Sequence, residues 1–353
     1  MKSFRIALYP GDGIGPEVMA EAVRVLEYVQ QRDGGFRLEL TRFPWGSDFY
    51  FQHGCAAPDD FLEQLRGFDA ILLGAVGDPR RLPDHVTLAP LVRIRQGFDQ
   101  YACLRPCRLF RGVPSLLRDA QVIDLLILRE NSEGEYVVCG GRMHEGRPGE
   151  VAVQSAIHTR RGVERILRFG FQLAMTRRRR LTMITKSNAL RFGMVLWDEA
   201  LDKIRCEFPE VESERQHADA AAMDLVRRPH RFDVVVASNL FGDILSDLGG
   251  AIIGGLGLAP SANLNPDRTS PSMFEPVHGS APDIAGKGIA NPVAMILSSA
   301  MMLEWLGLAA AAESIRRATD AALADGAKTP DLGGSLTTSE MTDQILAHLK
   351  QTT

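Results

Sequence analysis

Two aspartates one helical turn apart are the first residues whose spacing suggests chemistry. Asp243 and Asp247 occupy positions i and i+4 of a stretch with helical periodicity, so both carboxylates lie on one face. Like charges this close repel each other unless a cation lies between them or water screens them. Hard divalent ions such as Mg²⁺ bind a few carboxylate oxygens together with substrate and water. The pair is a candidate metal site, and the alternative is a solvated face opposite Ile244, Leu245 and Leu248.

The place of the pair in the chain favours the metal site. A strand is predicted over residues 232–237, and Ser238 and Asn239 form a turn able to cap the helix that follows. Open α/β sheets bind their ligands at the carboxyl ends of the strands. A further acidic group is available at Asp219.

Three arginines lie at predicted element boundaries, namely Arg95, Arg105 and Arg129. Planar guanidinium groups bind carboxylates through two parallel hydrogen bonds, so three arginines that converge on one cleft would recognise a di- or tricarboxylic acid. The alternative is that each is a separate surface residue.

A lysine and a tyrosine complete the candidate chemistry. Lys186 follows a strand predicted over residues 181–185, and Tyr136 lies in the sequence RENSEGEY. A lysine acts as a general base only when its pKa falls by about 3 units toward neutrality, which a nearby metal ion and arginines favour. Taken singly, the alternatives are a surface lysine and a half-buried tyrosine.

Two glycine-rich segments are candidates for binding a cofactor. GDGIGPE, residues 11–17, joins the first predicted strand to the first helix, but Pro16 replaces the third glycine of the dinucleotide fingerprint. The loop at residues 274–292 is long and rich in glycine and proline, and it carries His278, Asp283 and Asn291. Loops of this length are usually functional or disordered.

Alternating strands and helices must position these residues. Short apolar or β-branched runs predict strands at residues 5–8, 70–73, 122–128, 181–185 and 232–237. Helical periodicity predicts an amphipathic helix at residues 17–31 and a buried one at 293–306. Residues 133–157 alternate around glycines and predict a protruding hairpin arm. The pattern is typical of an α/β protein with parallel strands.

Composition and charge argue against several classes of partner. The 353 residues include 40 Lys and Arg against 44 Asp and Glu, a net charge of -4, so nucleic-acid and membrane binding are not expected. The arginine run at 177–180 is expected at the end of a helix. Five cysteines without CxxC spacing predict reduced thiols, and no signal peptide or membrane span is predicted. We expect a cytoplasmic protein.

Together the motifs resemble the isocitrate and isopropylmalate dehydrogenase family of metal-dependent β-decarboxylating dehydrogenases. The likeness covers essentially the whole chain and is most specific in FDQYACLRP, RENSEGEY, TKSN, SNLFGDILSDL and FEPVHGSAPDIAGKGIANP. Within the family, RENSEGEY followed by GGR, together with PDHVTL and ANLNP, resembles the tartrate and D-malate dehydrogenases.

The resemblance implies roles for the candidate residues. It implies that substrate carboxylates are held by Arg95, Arg105 and Arg129. It implies that Mg²⁺ or Mn²⁺ is bound by Asp219, Asp243 and Asp247, and a monovalent cation such as K⁺ is a further expected cofactor. Lys186 would take the hydroxyl proton as a hydride leaves for the nicotinamide, and Tyr136 would protonate C3 after the β-carboxylate departs.

The resemblance also implies where NAD binds. The cofactor would lie along GDGIGPE and the later loop, against Ile14, His278, Gly279, Ser280, Ala281, Asp283, Ile284 and Asn291. Asp283 would accept a hydrogen bond from the adenosine ribose and repel a 2′-phosphate, which favours NAD over NADP.

The implied fold has two α/β domains of the isopropylmalate dehydrogenase type, with parallel or mixed sheets flanked by helices. The first domain would comprise residues 1–100 and 258–353, and the second residues 101–257, with the metal site and a dimerisation arm at about 133–157. Lys186 and Asp219 would enter the neighbouring subunit's site, so a homodimer with shared active sites is implied.

The choice of hydroxy acid is open at this point. Ala89 and Pro90 occupy positions where tartrate dehydrogenases tend to have an aromatic residue and a glycine. A second hypothesis is therefore 3-isopropylmalate, whose apolar pocket would be lined by Leu88, Leu91 and Val92. A third hypothesis is a non-catalytic regulatory subunit, against which the intact set of Tyr136, Lys186, Asp219, Asp243 and Asp247 argues.

Overall fold

The computed structural model describes residues 1–117 and 122–351. In these residues the strands are β1 (Lys2–Gly11), β2 (Phe36–Arg42), β3 (Ala70–Ala75), β4 (Ala102–Arg108), β5 (Asp124–Glu130), β6 (Gly140–Met143), β7 (Val151–Gln154), β8 (Arg180–Thr185), β9 (Glu212–His217), β10 (Val234–Ala237), β11 (Pro260–Leu264) and β12 (Ser272–Pro276).

Most connections between strands are helical. The helices are α1 (Gly15–Asp33), α2 (Ser47–His53), α3 (Phe61–Arg66), α4 (Asp84–Thr87), α5 (Ala89–Gly97), α6 (Arg160–Met175), α7 (Gly193–Ile204), α8 (Ala218–Arg227), α9 (Asn239–Ile252), α10 (Val293–Trp305), α11 (Ala309–Ala324) and α12 (Thr338–Gln351). None of the helices in the described part of the chain is long and apolar enough to cross a bilayer.

Ten of the strands form one continuous sheet in the order β2-β1-β3-β12-β11-β4-β5-β10-β8-β9. The pairs are parallel except where β11 pairs with β12 and β4, and where β4 pairs with β5. Helices cover the sheet as parallel crossovers require. The expected α/β fold, with a large mostly parallel sheet flanked by helices, is confirmed.

Strands from the two ends of the chain group at one end of this sheet. There β2, β1 and β3 are followed by β12 and β11, and the other half contains β4, β5, β10, β8 and β9. The division into residues 1–100 with 258–353 and residues 101–257 stays a prediction, because one sheet continues through both. Residues 118–121 and 352–353, which these spans include, lie outside the described residues.

Helices α1 and α10 show why these segments fold as they do. In α1 a proline stands in the first turn, where a missing N–H costs nothing, and Gly34 ends the helix with φ of 64°. Helix α10 is apolar on nearly all sides and its residues are almost all buried. A helix of this kind lies inside the core, as the sequence predicted.

The predicted strands exist with somewhat different bounds, and β5 and β10 begin later than expected. Strand β5 begins at Asp124, after the 66 % exposed Val122, and it runs on through Glu130. Arg129 therefore lies inside a strand, where the sequence placed it just after one. Strand β10 begins at Val234, because a turn at 229–231 precedes Phe232.

The arginine run at 177–180 lies in the turn after α6 and at the start of β8. Arg177 Nε and the backbone N–H of Arg178 both donate to the carboxylate of Asp233, whose side chain is fully buried. The run thus neutralises a buried acid, which explains it without a nucleic-acid partner.

The predicted arm is a hairpin. Strands β6 and β7 pair antiparallel, with Gly140 opposite Gln154, and all their residues are exposed. At the base of the arm, Gly134 and Ile157 exchange backbone hydrogen bonds of 2.8 and 3.1 Å. We call residues 133–136 and 157–159 the arm root.

Candidate active site

Helix α9 carries the two aspartates at the carboxyl end of β10. Its apolar side packs on β5, and this packing is close because Gly242 faces Arg129: a Cβ at position 242 would lie 2.7 Å from the Cβ of Arg129. Asp243 follows Gly242 and is therefore held over the end of β5. Asp247 lies one turn further along the helix, and its side chain is 58 % exposed.

Arg105 and Arg129 extend toward α9 from neighbouring antiparallel strands. Position 105 pairs with 127 and position 129 with 103, so the two side chains share one face of the sheet. Arg105 Nη1 lies 3.0 Å from Oδ1 of Asp243, 3.6 Å from Oδ1 of Asp247 and 2.6 Å from Oγ of Ser246. Arg129 Nη1 also donates to Oδ1 of Asp243. The two buried cations thus meet at one carboxylate.

Tyr136 reaches the same carboxylate from the arm root. Its hydroxyl donates a hydrogen bond of 2.8 Å to Oδ2 of Asp243, and the Arg129 guanidinium lies 5.3 Å from the centre of its ring. Burial and the Asp243 charge both raise the pKa of Tyr136. The hydroxyl is therefore held in its protonated form beside the carboxylate.

The third arginine borders the same region through a small cavity. Arg95 and Arg105 line a space of about 150 Å³, together with Leu88, Leu91 and His278. Arg95 Nη2 donates to Oε1 of Glu275 over 2.6 Å, and the pair is almost completely buried. Arg95 and Arg105 thus share this cavity, and Arg105 also meets Arg129 at Asp243, while Val92 does not line the cavity.

Glu275 is a site residue that the sequence reasoning missed. It lies in β12, and its Oε1 accepts from both Arg95 and Asn263, at 2.6 and 2.7 Å. The structure places Glu275 in the buried strand Ser272–Pro276, whereas the sequence assigned residues 274–292 to one loop; the available signal was a carboxylate between Phe274 and Pro276. A buried acid of this kind requires a cationic partner.

The environment gives the two aspartates of α9 different protonation behaviour. Burial alone would raise the pKa of the Asp243 carboxyl, but Arg129 and Arg105 outweigh it and the pKa is lowered. Burial also raises the pKa of the Asp247 carboxyl, and the opposing effect of the Arg105 charge is too weak to offset it. Burial and the neighbouring Arg105 lower the pKa of Arg129 to about 10.

The donor set on α9 fits a hard divalent cation only in part within one chain. Asp243 and Asp247 offer carboxylate oxygens at a partly exposed surface, which is the kind of ligand such cations prefer. Within residues 1–117 and 122–351, no group of three or more His, Cys, Asp or Glu side chains gathers to hold a metal. Asp219 does not join the pair inside the chain.

Lys186 and Asp219 instead form a second group at the same edge of the sheet. Lys186 follows β8, Asp219 lies in the first turn of α8, and Lys186 Nζ lies 2.8 Å from Oδ1 of Asp219. The hydrogen bond from Lys186 lowers the pKa of the exposed Asp219 carboxyl. The contact places both residues together on the surface.

Most of the predicted cofactor residues lie where two loops meet. The backbone N–H of Ile14 donates to the carbonyl of Ser280 over 2.8 Å, and a Cβ at Gly13 would lie 2.0 Å from that carbonyl oxygen. GDGIGPE therefore packs directly on the segment that contains Gly279, Ser280, Ala281, Asp283 and Ile284. Asp283 and Gly279 are exposed, as a ligand contact requires.

Two of the residues predicted to bind the cofactor also have contacts within the chain. Asn291 is buried, and its Oδ1 accepts from the N–H of Val293 at the start of α10 while Nδ2 donates to Asp331 over 3.0 Å. His278 Nδ1 lies 2.9 Å from the carbonyl of Gly279, and burial lowers the pKa of this imidazole. The buried His278 Nε2 has no partner in the described residues.

Comparison with known proteins assigns this arrangement to a family. The sequence pattern of the isocitrate/isopropylmalate dehydrogenases matches residues 5–345. The chain belongs to the isocitrate/isopropylmalate dehydrogenase family. It is therefore an oxidoreductase of a family of decarboxylating dehydrogenases, as the motifs indicated.

Relatives within the family are similar over nearly their full length. The decarboxylating D-malate dehydrogenase of Escherichia coli (strain K12) is 52% identical over 355 residues, which cover 98% of each chain. The tartrate dehydrogenase/decarboxylase of Pseudomonas putida is 51% identical over 350 residues, 96% of each chain. The predicted likeness to these two kinds of enzyme is confirmed.

Solved structures agree with the fold. The isocitrate dehydrogenase of Methylococcus capsulatus superposes with a TM-score of 0.88 at 36% identity and covers 99% of this chain and 100% of its own. The apo β-decarboxylating dehydrogenase of Thermococcus kodakarensis gives a TM-score of 0.78 at 38% identity, with 99% and 96% covered.

Proposed function

We propose that this dehydrogenase oxidises and decarboxylates a small 2-hydroxy dicarboxylic acid, D-malate or tartrate, with NAD and with Mg²⁺ or Mn²⁺. The observation that carries the proposal is the meeting of Arg105, Arg129 and Tyr136 at Asp243, beside the cavity lined by Arg95. Substrates of about this size and charge are named for the two relatives that are about half identical.

In the proposed mechanism the arginines hold the two carboxylates of the acid. Guanidinium groups on rigid strands bind carboxylates with a fixed orientation, which brings the hydroxyl-bearing carbon toward Asp243 and Asp247. When bound, NAD would supply a hydride acceptor, and the divalent cation would supply Lewis-acid chemistry. Asp243, Asp247 and the partner subunit's Asp219 would hold the cation, and a monovalent ion such as K⁺ remains a further candidate.

Two proton transfers complete the reaction. The partner subunit's Lys186 takes the proton of the C2 hydroxyl as the C2–H electrons leave. The bond from C3 to the β-carboxylate then breaks and CO₂ departs. Tyr136 gives a proton to C3, which explains why the site contains an acid at the arm root as well as a base.

The homodimer is part of this proposal because one chain does not assemble the whole site. Lys186 and Asp219 lie together on the surface, apart from Asp243, so a second copy is needed to bring a lysine and a third carboxylate to the metal. The exposed arm is the proposed contact surface.

A second candidate substrate is 3-isopropylmalate, and one observation favours it. Leu88 and Leu91 line the cavity that Arg95 and Arg105 share, so an apolar substituent would have contacts there. The third hypothesis, a non-catalytic regulatory subunit, has no such support. The contact of Tyr136, the proposed proton donor, with Asp243 argues against it.

One assay separates these three hypotheses. NADH formation is followed with D-malate, tartrate, 3-isopropylmalate and isocitrate, each with Mn²⁺ and with excess chelator. The proposal predicts the highest kcat/KM with D-malate or tartrate and none with chelator. A preference for 3-isopropylmalate would support the second candidate, and no NADH from any acid would support a regulatory subunit.

A further inference from the structure

Asn239 is a buried polar side chain that bonds to two separate parts of the chain. It is the first residue of α9 and is 2 % exposed. Its Oδ1 accepts a hydrogen bond of 2.9 Å from Nε of Arg129, and its Nδ2 donates one of 2.8 Å to the backbone carbonyl of Glu133. The sequence suggested a helix cap at this position, but the side chain bridges β5 to the arm root instead.

The chemistry of the two partners leaves little choice of side chain. The Nε–H of arginine can only donate, and a backbone carbonyl can only accept. A residue between them must therefore accept on one side and donate on the other, which an amide does. An aspartate would lose the donation to Glu133, and an alanine would leave both buried groups without a partner.

The arm root is held firmly around the Glu133 carbonyl. The Glu133 carboxylate accepts from the backbone N–H of Thr159 over 2.7 Å, on the returning side of the arm. Gly134, with φ of 82°, packs against Asn239 so closely that a Cβ there would lie 3.0 Å from the Cβ of Asn239. A movement of the arm root would consequently move Asn239.

Arg129 depends on the arm root from its other side as well. Its guanidinium lies over the ring of Tyr136, which follows Gly134 by two residues. The arm root therefore acts on Arg129 in two ways. It holds the Asn239 amide that orients Nε of Arg129, and it contains the Tyr136 ring against which the guanidinium packs.

We propose that Asn239 is a positioning residue that couples the arm root to the Arg129 guanidinium, so that packing of the arm and binding of the substrate carboxylate at Arg129 favour each other. The inference deepens the proposed function and rests on it, because Arg129 is proposed to bind the substrate. Asn239 itself touches neither substrate nor cofactor in this proposal.

A double-mutant cycle tests the link to Arg129. Binding of D-malate and of tartrate is measured by calorimetry with Mn²⁺ and without NAD, so that no turnover is needed. Asn239→Ala is expected to weaken binding on the order of tenfold. In an Arg129→Lys background, which lacks Nε, the same change is expected to have less than about a twofold effect.

The control separates positioning from a general loss of structure. Asn265 is an equally buried asparagine whose amide bonds to the carbonyl of Phe98, away from Arg129. Asn265→Ala is expected to lower the melting temperature while leaving the affinity for the acid unchanged. If Asn239→Ala does not fold, Asn239→Ser, whose shorter side chain replaces the amide with a hydroxyl, takes its place in the cycle.

Hydrogen–deuterium exchange tests the link to the arm. In the wild type, binding of the acid is expected to slow amide exchange at the arm root, and in Asn239→Ala this protection is expected to be lost. Additive effects in the cycle, or equal protection in both proteins, would overturn the inference while leaving the proposed function intact. Binding without turnover would refute the proposed function alone, and a wild type that binds neither acid would overturn both.

Discussion

Tyr136 and Asp243 lie 107 residues apart in sequence, and the tyrosine hydroxyl donates to Oδ2 of the aspartate over 2.8 Å. The other oxygen of the same carboxylate accepts from two buried arginines. Asp243 is thus the residue at which the arm, strands β4 and β5, and helix α9 meet.

Asp243 and Asp247 should differ in their contribution to stability. Asp243→Asn leaves the 1 % exposed Arg129 without its counter-charge, and we expect a loss of about 3–5 kcal/mol in the free energy of unfolding. Asp247→Asn removes a 58 % exposed carboxylate and should change stability by less than about 1 kcal/mol. Urea denaturation measures both, and equal destabilisation would contradict the assigned geometry.

Both variants should nevertheless lose catalysis, because both carboxylates are proposed metal ligands. We expect kcat/KM to fall at least about a hundredfold in each, on the order of the loss seen when a group that stabilises transition-state charge is removed. Full activity of Asp247→Asn would exclude this carboxylate from the metal site.

The pairing of Arg95 with Glu275 gives a second stability prediction. Arg95→Met leaves the buried Glu275 carboxylate paired only with Asn263 and should cost about 3–5 kcal/mol. Adding Glu275→Gln removes the buried charge, so the double variant should regain most of the loss in thermal or urea denaturation. The KM for the substrate should stay high in both variants, because both lack Arg95. A double variant as unstable as Arg95→Met would show that loss of the ion pair does not cause the destabilisation.

The proposed sharing of Lys186 between subunits can be tested by complementation. Lys186→Ala and Tyr136→Phe should each be inactive while still binding NAD. When the two are unfolded and refolded together, heterodimers should contain one complete site, which gives roughly a quarter of the wild-type rate. If each subunit uses its own lysine, the mixture should stay as inactive as its components.

Titration of Asp224, a residue away from the active site, should make the free energy of unfolding depend on pH. Burial would raise the pKa of this carboxyl, but Arg228 and Gln216 outweigh it and lower the pKa. The native state therefore holds this proton less tightly than the unfolded chain. Its stabilising effect is complete above the unfolded pKa of about 3.9 and is lost as the pH falls through the folded value.

The corresponding variant is Asp224→Asn. At neutral pH it should be less stable than the wild type by about 1.5–3 kcal/mol, since charge-assisted hydrogen bonds from Arg228 and Arg231 are lost. The difference should shrink as the pH falls below about 4. Urea midpoints at neutral and acidic pH give the comparison, and a constant difference would exclude titration of Asp224 as the source.

The sequence predicted the site best where residues follow strands. The carboxyl end of a strand places a side chain at the ligand-binding edge, so the local pattern made Lys186 and Asp243 candidates, and the family resemblance implied their roles. Helix α9 and the hairpin arm were equally accessible, since helical spacing and glycine alternation are local signals.

The contact of Glu275 with Arg95, that of Ser246 with Arg105 and the bridging role of Asn239 could not be found in this way. Glu275 and Asn239 act through partners that are distant in sequence. Glu275 bonds to Arg95, 180 residues away, and Asn239 bonds to Arg129, 110 residues away. No local period encodes such contacts, because they arise only when β12 packs near α5 and α9 packs on β5. Asp219 is a different case: its proposed site includes a second chain, which the fold of one chain cannot bring together.

The most direct test of the central claim is to measure NADH and CO₂ together in one reaction, with D-malate and with tartrate, in Mn²⁺ and after removal of the metal by chelator. The account predicts that one of these acids yields NADH and CO₂ in equal amounts and that both products disappear when the metal is removed. NADH without CO₂, or equal formation of both after complete removal of the metal, would contradict it.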